Sequence, residues 1–170
     1  MPPLIRSVIQ ACTASDPSKR PSINQVREAL SAYVSQGLSA ECVFASLVKG
    51  LLLVTARSKN FAPIISECIE HGESREQELG MQETLYFKAL KAMSGFKVLE
   101  ALEAYEALLR IHPRDLMATR MLQAELFWMG ESRWMHRAMK NLEQAWKPEM
   151  PGSSYFYGDY AFAHEEAGFH

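Results

Sequence analysis

The stretch LEAYEALLRIHPRD, residues 102–115, decides the fold predicted for this chain. Its apolar residues recur at the three- and four-residue spacing of an amphipathic helix, with charged residues on the opposite face. Pro113 ends the helix, because a proline disfavours the helical conformation at the residue before it. A first helix begins near Met81 and is separated from this one by Ser94-Gly95, a turn signal. The two segments therefore predict a helix hairpin.

The same pattern recurs on both sides of this hairpin. Downstream, residues 116–129 and 134–146 have helical spacing with Gly130 between them, and upstream the segments 43–55 and 61–71 form another pair. Pro148 lies 35 positions after Pro113 (148 − 113), close to the tetratricopeptide period of about 34 residues. A further helix is expected at 155–167. The predicted fold is all-α, with tetratricopeptide-like antiparallel hairpins stacked as a short solenoid over residues 41–170.

Small residues stand where the two helices of a tetratricopeptide hairpin cross. In the central unit these are Ala89 and Ala101, accompanied by Tyr105 at the aromatic position and Pro113 at the terminal proline. The upstream unit has Gly50 and Ala62 at the corresponding positions. The third unit departs from the pattern, with Gln123 and Met135 there, which leaves its register open.

Several longer strings cover residues 43–168. They are KGLLL at 49–53, HPRDL at 112–116, FWMG at 127–130, PEMPG at 148–152 and YAFAHEEAG at 160–168. In these strings the chain resembles the tetratricopeptide repeat protein 38 family. The resemblance implies a repeat protein and brings no catalytic residue with it. Members of that family continue with more helices, so we expect this chain to be truncated at its C-terminus.

Residues 1–40 are predicted to form a separate N-terminal helical segment. Within it, residues 4–32, including DPSKRPS at 16–22, resemble the end of a protein-kinase C-lobe. The alternative is a plain helix capped by Ser22. The chain has no Gly-rich loop, His-Arg-Asp loop or Asp-Phe-Gly segment, so it lacks the parts that hold nucleotide and Mg²⁺ in a kinase.

Composition argues against several classes of partner. The net charge is −2 and no basic run exceeds Lys19-Arg20, so neither nucleic acid nor an anionic membrane is expected. Cys12, Cys42 and Cys68 form no CxxC pair and are interpreted as buried apolar residues in a reducing compartment, the cytoplasm. The apolar segment 43–56 is shorter than the 20 or so residues that cross a bilayer.

No constellation of residues points to catalysis, a metal or a cofactor. His164, Glu165 and Glu166 are adjacent, so on a helix they point to different faces and do not form a metal site. His112 at a helix end is interpreted as a residue that interacts with the last carbonyls of the helix. We therefore predict a protein that is not an enzyme.

The region 114–150 has other notable side chains, each with two interpretations. Its Trp and Met residues are Trp128, Trp134, Trp146, Met117, Met121, Met129, Met135, Met139 and Met150. They fit a core between stacked helices, or a partly exposed groove. Its arginines Arg114, Arg120, Arg133 and Arg137 could hold a carboxylate, though a solvated surface is the simpler interpretation, as it is for Glu100, Glu103 and Glu106.

The leading hypothesis is a scaffold that binds a protein or peptide on a concave face built from the first helices. Outward-facing residues of those helices are the predicted binding site: Lys88, Lys91, Arg120, Gln123 and Trp128. The first alternative is a small-ligand protein or enzyme that uses His136, Glu125 or Tyr160 in a pocket between helices. A second is a fragment of a larger protein without a function of its own.

The last predicted helix has an uncovered apolar face. Tyr155, Tyr157, Tyr160 and Phe162 lie on it, and a large uncovered apolar patch tends to find a partner. A homodimer through this uncapped C-terminal helix is therefore also expected.

Overall fold

A computed structural model describes Ser22 and residues 43–169 of the chain. Apart from Ser22, the predictions for the N-terminal part of the chain lie outside the described residues. They concern the segment 1–40, the kinase-like stretch 4–32, Cys12 and Cys42. The chain divides into two compact units, Met1–Ala45 and Ser46–His170, and the contacts and sites below belong to the second. The described residues form seven α-helices and no strand, so the all-α prediction is confirmed.

The helices have the following bounds: α1 Val43–Thr55, α2 Ala62–Ser74, α3 Met81–Ser94, α4 Val98–Ile111, α5 Leu116–Trp128, α6 Ser132–Leu142 and α7 Ser153–Glu166. Short 3₁₀ turns at Lys59–Phe61, Glu76–Glu78 and Glu143–Ala145 lie between them. Each helix predicted within residues 43–169 is present, and the breaks at Ser94-Gly95, Pro113 and Gly130 are in the expected places. None of the helices in this part of the chain is long and apolar enough to cross a membrane.

Contacts connect helices that follow one another in the chain. They join α2 to α3, α3 to α4, α4 to α5, α5 to α6 and α6 to α7, and α5 also contacts α7. The buried core includes Tyr86, Leu90, Leu102, Tyr105, Leu108, Leu122, Leu126, Met135, Met139 and Phe156. Most of the predicted apolar stripe of the central hairpin therefore forms the interior, but Leu99 and Ile111 of that stripe are exposed.

The positions expected at helix crossings are mostly buried. Ala89 and Ala101 are fully buried, and so are Gln123 and Met135, which each lie 34 positions further on (123 − 89; 135 − 101). A Cβ at Gly50 would lie 2.8 Å from Leu90 Cδ2, so that helix approach also depends on a small residue. Ala62 differs, because it begins α2 and is exposed to solvent.

Asp115 fixes the start of α5 and ties it to α3. Its carboxylate accepts the backbone N–H of Ala118 at 3.0 Å, which caps the helix. It also accepts hydrogen bonds from the Tyr86 hydroxyl at 2.6 Å and from Gln82 Nε2 at 2.8 Å. Burial and this neighbouring carboxylate raise the pKa of the Tyr86 phenol, which therefore stays a neutral donor. One carboxylate thus sets the register of two successive hairpins.

Candidate functional site

An open groove of about 560 Å³ runs between α5 and α7. We call it the aromatic groove; it is lined by Arg120, Gln123, Ala124, Phe127, Trp128, Ser154, Tyr155, Gly158, Asp159 and Phe162. It exists because α5 and α7 contact each other directly.

Four large aromatic side chains of this groove remain exposed. Trp128 is 67% exposed and Tyr155 is 74% exposed, while Phe127 and Phe162 are 41% and 38% exposed. The Phe127 ring lies 5.3 Å from that of Phe162 and 5.7 Å from that of Trp128. Clustered exposed aromatics are unusual on a protein surface and typical of interfaces.

The polar floor of the groove is centred on Asp159. Its carboxylate forms an ion pair with Arg120, and its backbone carbonyl accepts a hydrogen bond from Gln123 Nε2 at 2.7 Å. Burial raises the pKa of Asp159, and the Arg120 guanidinium opposes that rise. The Arg120 side chain is 70% exposed whereas that of Asp159 is 9% exposed, so the groove presents the cation of the pair to solvent.

A second arginine adjoins the groove at Trp128. The Arg57 guanidinium lies 5.5 Å from the Trp128 ring centroid, a cation–π distance. Arg57 Nη2 also donates to Glu125 Oε2 at 2.8 Å. Burial raises the pKa of Glu125 and Arg57 opposes the rise. Here again the carboxylate is buried and the arginine is half-exposed.

The structure brings three of the five predicted binding residues together. Arg120, Gln123 and Trp128 line the aromatic groove, while Lys88 and Lys91 do not. Lys88 is exposed, and Lys91 forms an ion pair with Glu73 of α2 at 2.8 Å. The prediction that Gln123 faces outward was wrong: it is 4% exposed, because its amide is used to hold the Asp159 carbonyl.

Some of the predicted tryptophans and methionines lie in the core and others are exposed, so each of the two interpretations holds for part of the set. Met121, Met135, Met139 and Trp146 are buried, whereas Trp128 and Met129 are exposed. Cys68 is buried, as predicted. Arg114, Arg120, Arg133 and Arg137 are all exposed, and so are Glu100 and Glu103. Glu106 differs from its neighbours in accepting the Trp134 indole N–H at 2.8 Å.

The residues of the enzyme alternative lie in two places. The His136 and Tyr160 rings are 5.8 Å apart and His136 Nε2 is 3.1 Å from His164 Nδ1, whereas Glu125 is buried beside Arg57. Within residues 43–169 no group of three His, Cys, Asp or Glu side chains is arranged to hold a metal ion.

Because His136 contacts His164, we expect the stability of the protein to depend on pH. Burial lowers the pKa of His136, and the positive charges of His164 and Lys140 lower it further. The folded protein therefore binds this proton less readily than the unfolded chain does, and the stability it supplies at pH 7.5 is lost as the pH falls below about 6.5. We expect the difference in melting temperature between the wild type and His136→Gln to shrink from pH 7.5 to pH 5. A difference independent of pH would contradict this.

Two residues of the site, Asp159 and Arg57, were not predicted from the sequence. Asp159 lies on the same side of α7 as Phe156 and Ala163, and all three residues are buried. An acidic residue at a position where an apolar one is expected indicates a charged partner, and this was the available signal in the sequence. Arg57 follows α1 in a connection without periodicity, and nothing in its sequence context points to Glu125, which is 68 positions away.

No protein-family model matches the chain, and no solved structure matches it.

Proposed function

We propose that this chain is a helical-repeat module that binds a peptide or protein partner in the aromatic groove and does not catalyse a reaction. The observation that carries the proposal is the exposed set Phe127, Trp128, Tyr155 and Phe162 around the Arg120–Asp159 pair. Aromatic and arginine side chains dominate the energetics of protein interfaces. An open groove of this kind suits a chain segment better than an enclosed metabolite.

The tetratricopeptide-like arrangement is part of the same proposal. It is supported by two successive packed helix pairs, α3–α4 and α5–α6, by buried residues 34 positions apart and by the contact between α5 and α7, which would be the first helices of neighbouring units. The resemblance to the tetratricopeptide repeat protein 38 family agrees with it. In such an arrangement the first helices form one continuous surface, and the aromatic groove would be a part of that surface.

The chemistry of the groove specifies the partner. The apolar rings can contact two bulky side chains, and the exposed N–H groups of Arg120 can donate hydrogen bonds to a carboxylate that lies between them. Arg57 over Trp128 adds a second exposed cation at one end. We expect a short segment in which an acidic residue is flanked by large apolar ones. Nucleic acid and membrane are not proposed as partners, and the cytoplasm is the proposed location.

A peptide selection tests this proposal. A displayed peptide library selected against the whole chain should yield sequences with an acidic residue between large apolar residues. Replacing a central aromatic of an interface weakens binding by about 2 kcal/mol or more, so Trp128→Ala should raise the Kd of the selected peptide about thirtyfold. Calorimetric titration measures the change.

The matched control is Met81→Ala, since Met81 is 68% exposed and lies outside the groove. It should bind the peptide like the wild type. Equal losses in Trp128→Ala and Met81→Ala, or a selection that yields no sequence preference, would overturn the proposal.

A further inference from the structure

A second and more enclosed cavity, of about 330 Å³, lies away from the groove floor. We call it the Glu125 cavity. Its walls are largely apolar and include Leu53, Ile65, Met93 and Val98, which come from α1, α2, α3 and α4. Glu125 of α5 also lines it. Its size lies at the lower end of the range for small-molecule sites, and such sites combine apolar walls with a few polar groups.

The backbone around this cavity is unusual. Among the described residues, the non-glycine residues with positive φ are Arg57 at 50° and Phe96 at 58°, and both line the Glu125 cavity. A left-handed conformation costs free energy in a residue with a Cβ, and such residues concentrate at functional sites. Phe96 is 91% exposed, so a ligand in the cavity would cover a ring that is otherwise in water.

The polar end of the cavity is an incompletely neutralised carboxylate. Glu125 is 2% exposed, and Arg57 Nη2 donates to its Oε2 at 2.8 Å. A carboxylate has lone pairs for about four donors, so Oε1 can accept from a ligand. The burial that raises the pKa of Glu125 outweighs the opposing effect of Arg57. A further cationic donor would therefore stabilise the ionised form.

We propose that the Glu125 cavity binds a small molecule with an apolar body and a protonated primary amine. The body fills the space between Leu53, Ile65 and Met93, and the ammonium donates to Glu125 Oε1. The Arg57 side chain is long and half-exposed, and its guanidinium already lies over the Trp128 ring. It can therefore move away from Glu125 when the ammonium binds. A ligand carboxylate would be repelled by Glu125. This inference shares Arg57 with the peptide proposal but rests on Glu125 and the apolar walls of the cavity, which do not line the aromatic groove.

Three probes of similar shape test the charge preference in the full chain: 2-phenylethylamine, 2-phenylethanol and 3-phenylpropanoate. Binding is followed through the backbone amide resonances of Leu53, Met93 and Val98. The amine should bind and shift these resonances, the alcohol should bind at least about tenfold more weakly, and the carboxylate should not bind, since hydrogen bonds to charged groups are the stronger ones.

Two variants locate the site. Glu125→Gln keeps an oxygen for Arg57 but removes the charge, so it should raise the Kd of the amine about tenfold or more and abolish its advantage over the alcohol. Ser66→Trp, an exposed position on the cavity lining, should block all binding with Glu125 intact. Asp159→Asn, in the aromatic groove, is the matched control and should leave amine binding unchanged.

Specific outcomes would overturn the inference. They are an amine that shifts no cavity resonance, an amine and alcohol of equal affinity, or undiminished amine binding in both Glu125→Gln and Ser66→Trp. Circular dichroism of each variant confirms that it is folded. None of these outcomes affects the peptide proposal, which is measured at Trp128.

Discussion

Asp115→Ala should lower the free energy of unfolding by about 3–5 kcal/mol. The substitution removes the side-chain cap of α5, a loss of about 1 kcal/mol. It also removes the hydrogen bond from the Tyr86 hydroxyl, on a residue 1% exposed, to the Asp115 carboxylate, and a hydrogen bond to a charged group contributes about 1.5–3 kcal/mol. The hydrogen bond from Gln82 is lost as well. Urea unfolding followed by circular dichroism measures the total.

Two variants separate these contributions. Asp115→Asn keeps a side-chain oxygen that can cap α5 and accept from Tyr86, so it should cost less than half as much as Asp115→Ala. Tyr86→Phe removes the hydrogen bond to Asp115 and leaves the cap intact, with an expected loss of about 1–2 kcal/mol. A loss below 1 kcal/mol for Asp115→Ala would contradict the role of Asp115 in joining α3 to α5.

Gly152→Ala should cost about 2–5 kcal/mol, because two penalties add at this position. Gly152 has φ +85°, a left-handed conformation that costs a residue with a Cβ about 1–2 kcal/mol. The added Cβ would also lie 2.7 Å from Leu116 Cδ1, so either the Leu116 side chain or the start of α7 must move. Overpacking of this kind typically costs about 1–3 kcal/mol. Urea unfolding is again the measurement.

The chain supplies matched controls for both penalties. Gly130 has φ +75° with open space around its Cβ position, so Gly130→Ala should show the conformational cost alone, about 1–2 kcal/mol. Gly158 lies within α7 with open space and no positive φ, and Gly158→Ala should stabilise the protein by about 0.5–1 kcal/mol. If Gly152→Ala cost no more than Gly130→Ala, the close approach to Leu116 would be contradicted.

Helix positions were predictable because their ends are set by local chemistry. Gly95, Pro113 and Gly130 each interrupt a helix regardless of what packs nearby, and the structure ends α3, α4 and α5 at or close to them. The amphipathic stripe of α4 likewise indicated which residues are buried, since one side of that helix is charged. These features depend on neighbours within a few residues.

The orientation of α5 could not be predicted in the same way. Leu116–Trp128 is apolar on most of its circumference, so its periodicity does not select the face that packs. Gln123 therefore seemed free to face outward, although its position matches buried Ala89 of the preceding unit. Its burial depends on the Asp159 carbonyl, 36 positions away, and no local pattern reveals such a partner.

Only the part of the candidate site that lies on a single helix could be predicted from the sequence. Arg120 and Trp128 belong to one helix, and the repeat pattern alone placed them on a first helix. Tyr155 and Phe162 were recognised as an uncovered apolar face, but their meeting with α5 depends on the contact between α5 and α7. The Glu125 cavity requires residues from five helices, α1 to α5, to converge and has no local signature.

The tryptophan indole N–H resonances offer the most direct test of the proposed binding site. The chain has three tryptophans in different surroundings: Trp128 is exposed in the aromatic groove, Trp134 donates to Glu106, and Trp146 is buried against Phe156. Adding a selected acidic–apolar peptide to the ¹⁵N-labelled chain should shift the Trp128 indole signal and leave the Trp134 and Trp146 signals in place. A Trp128 signal that stays unchanged while the peptide binds would contradict the groove as the site.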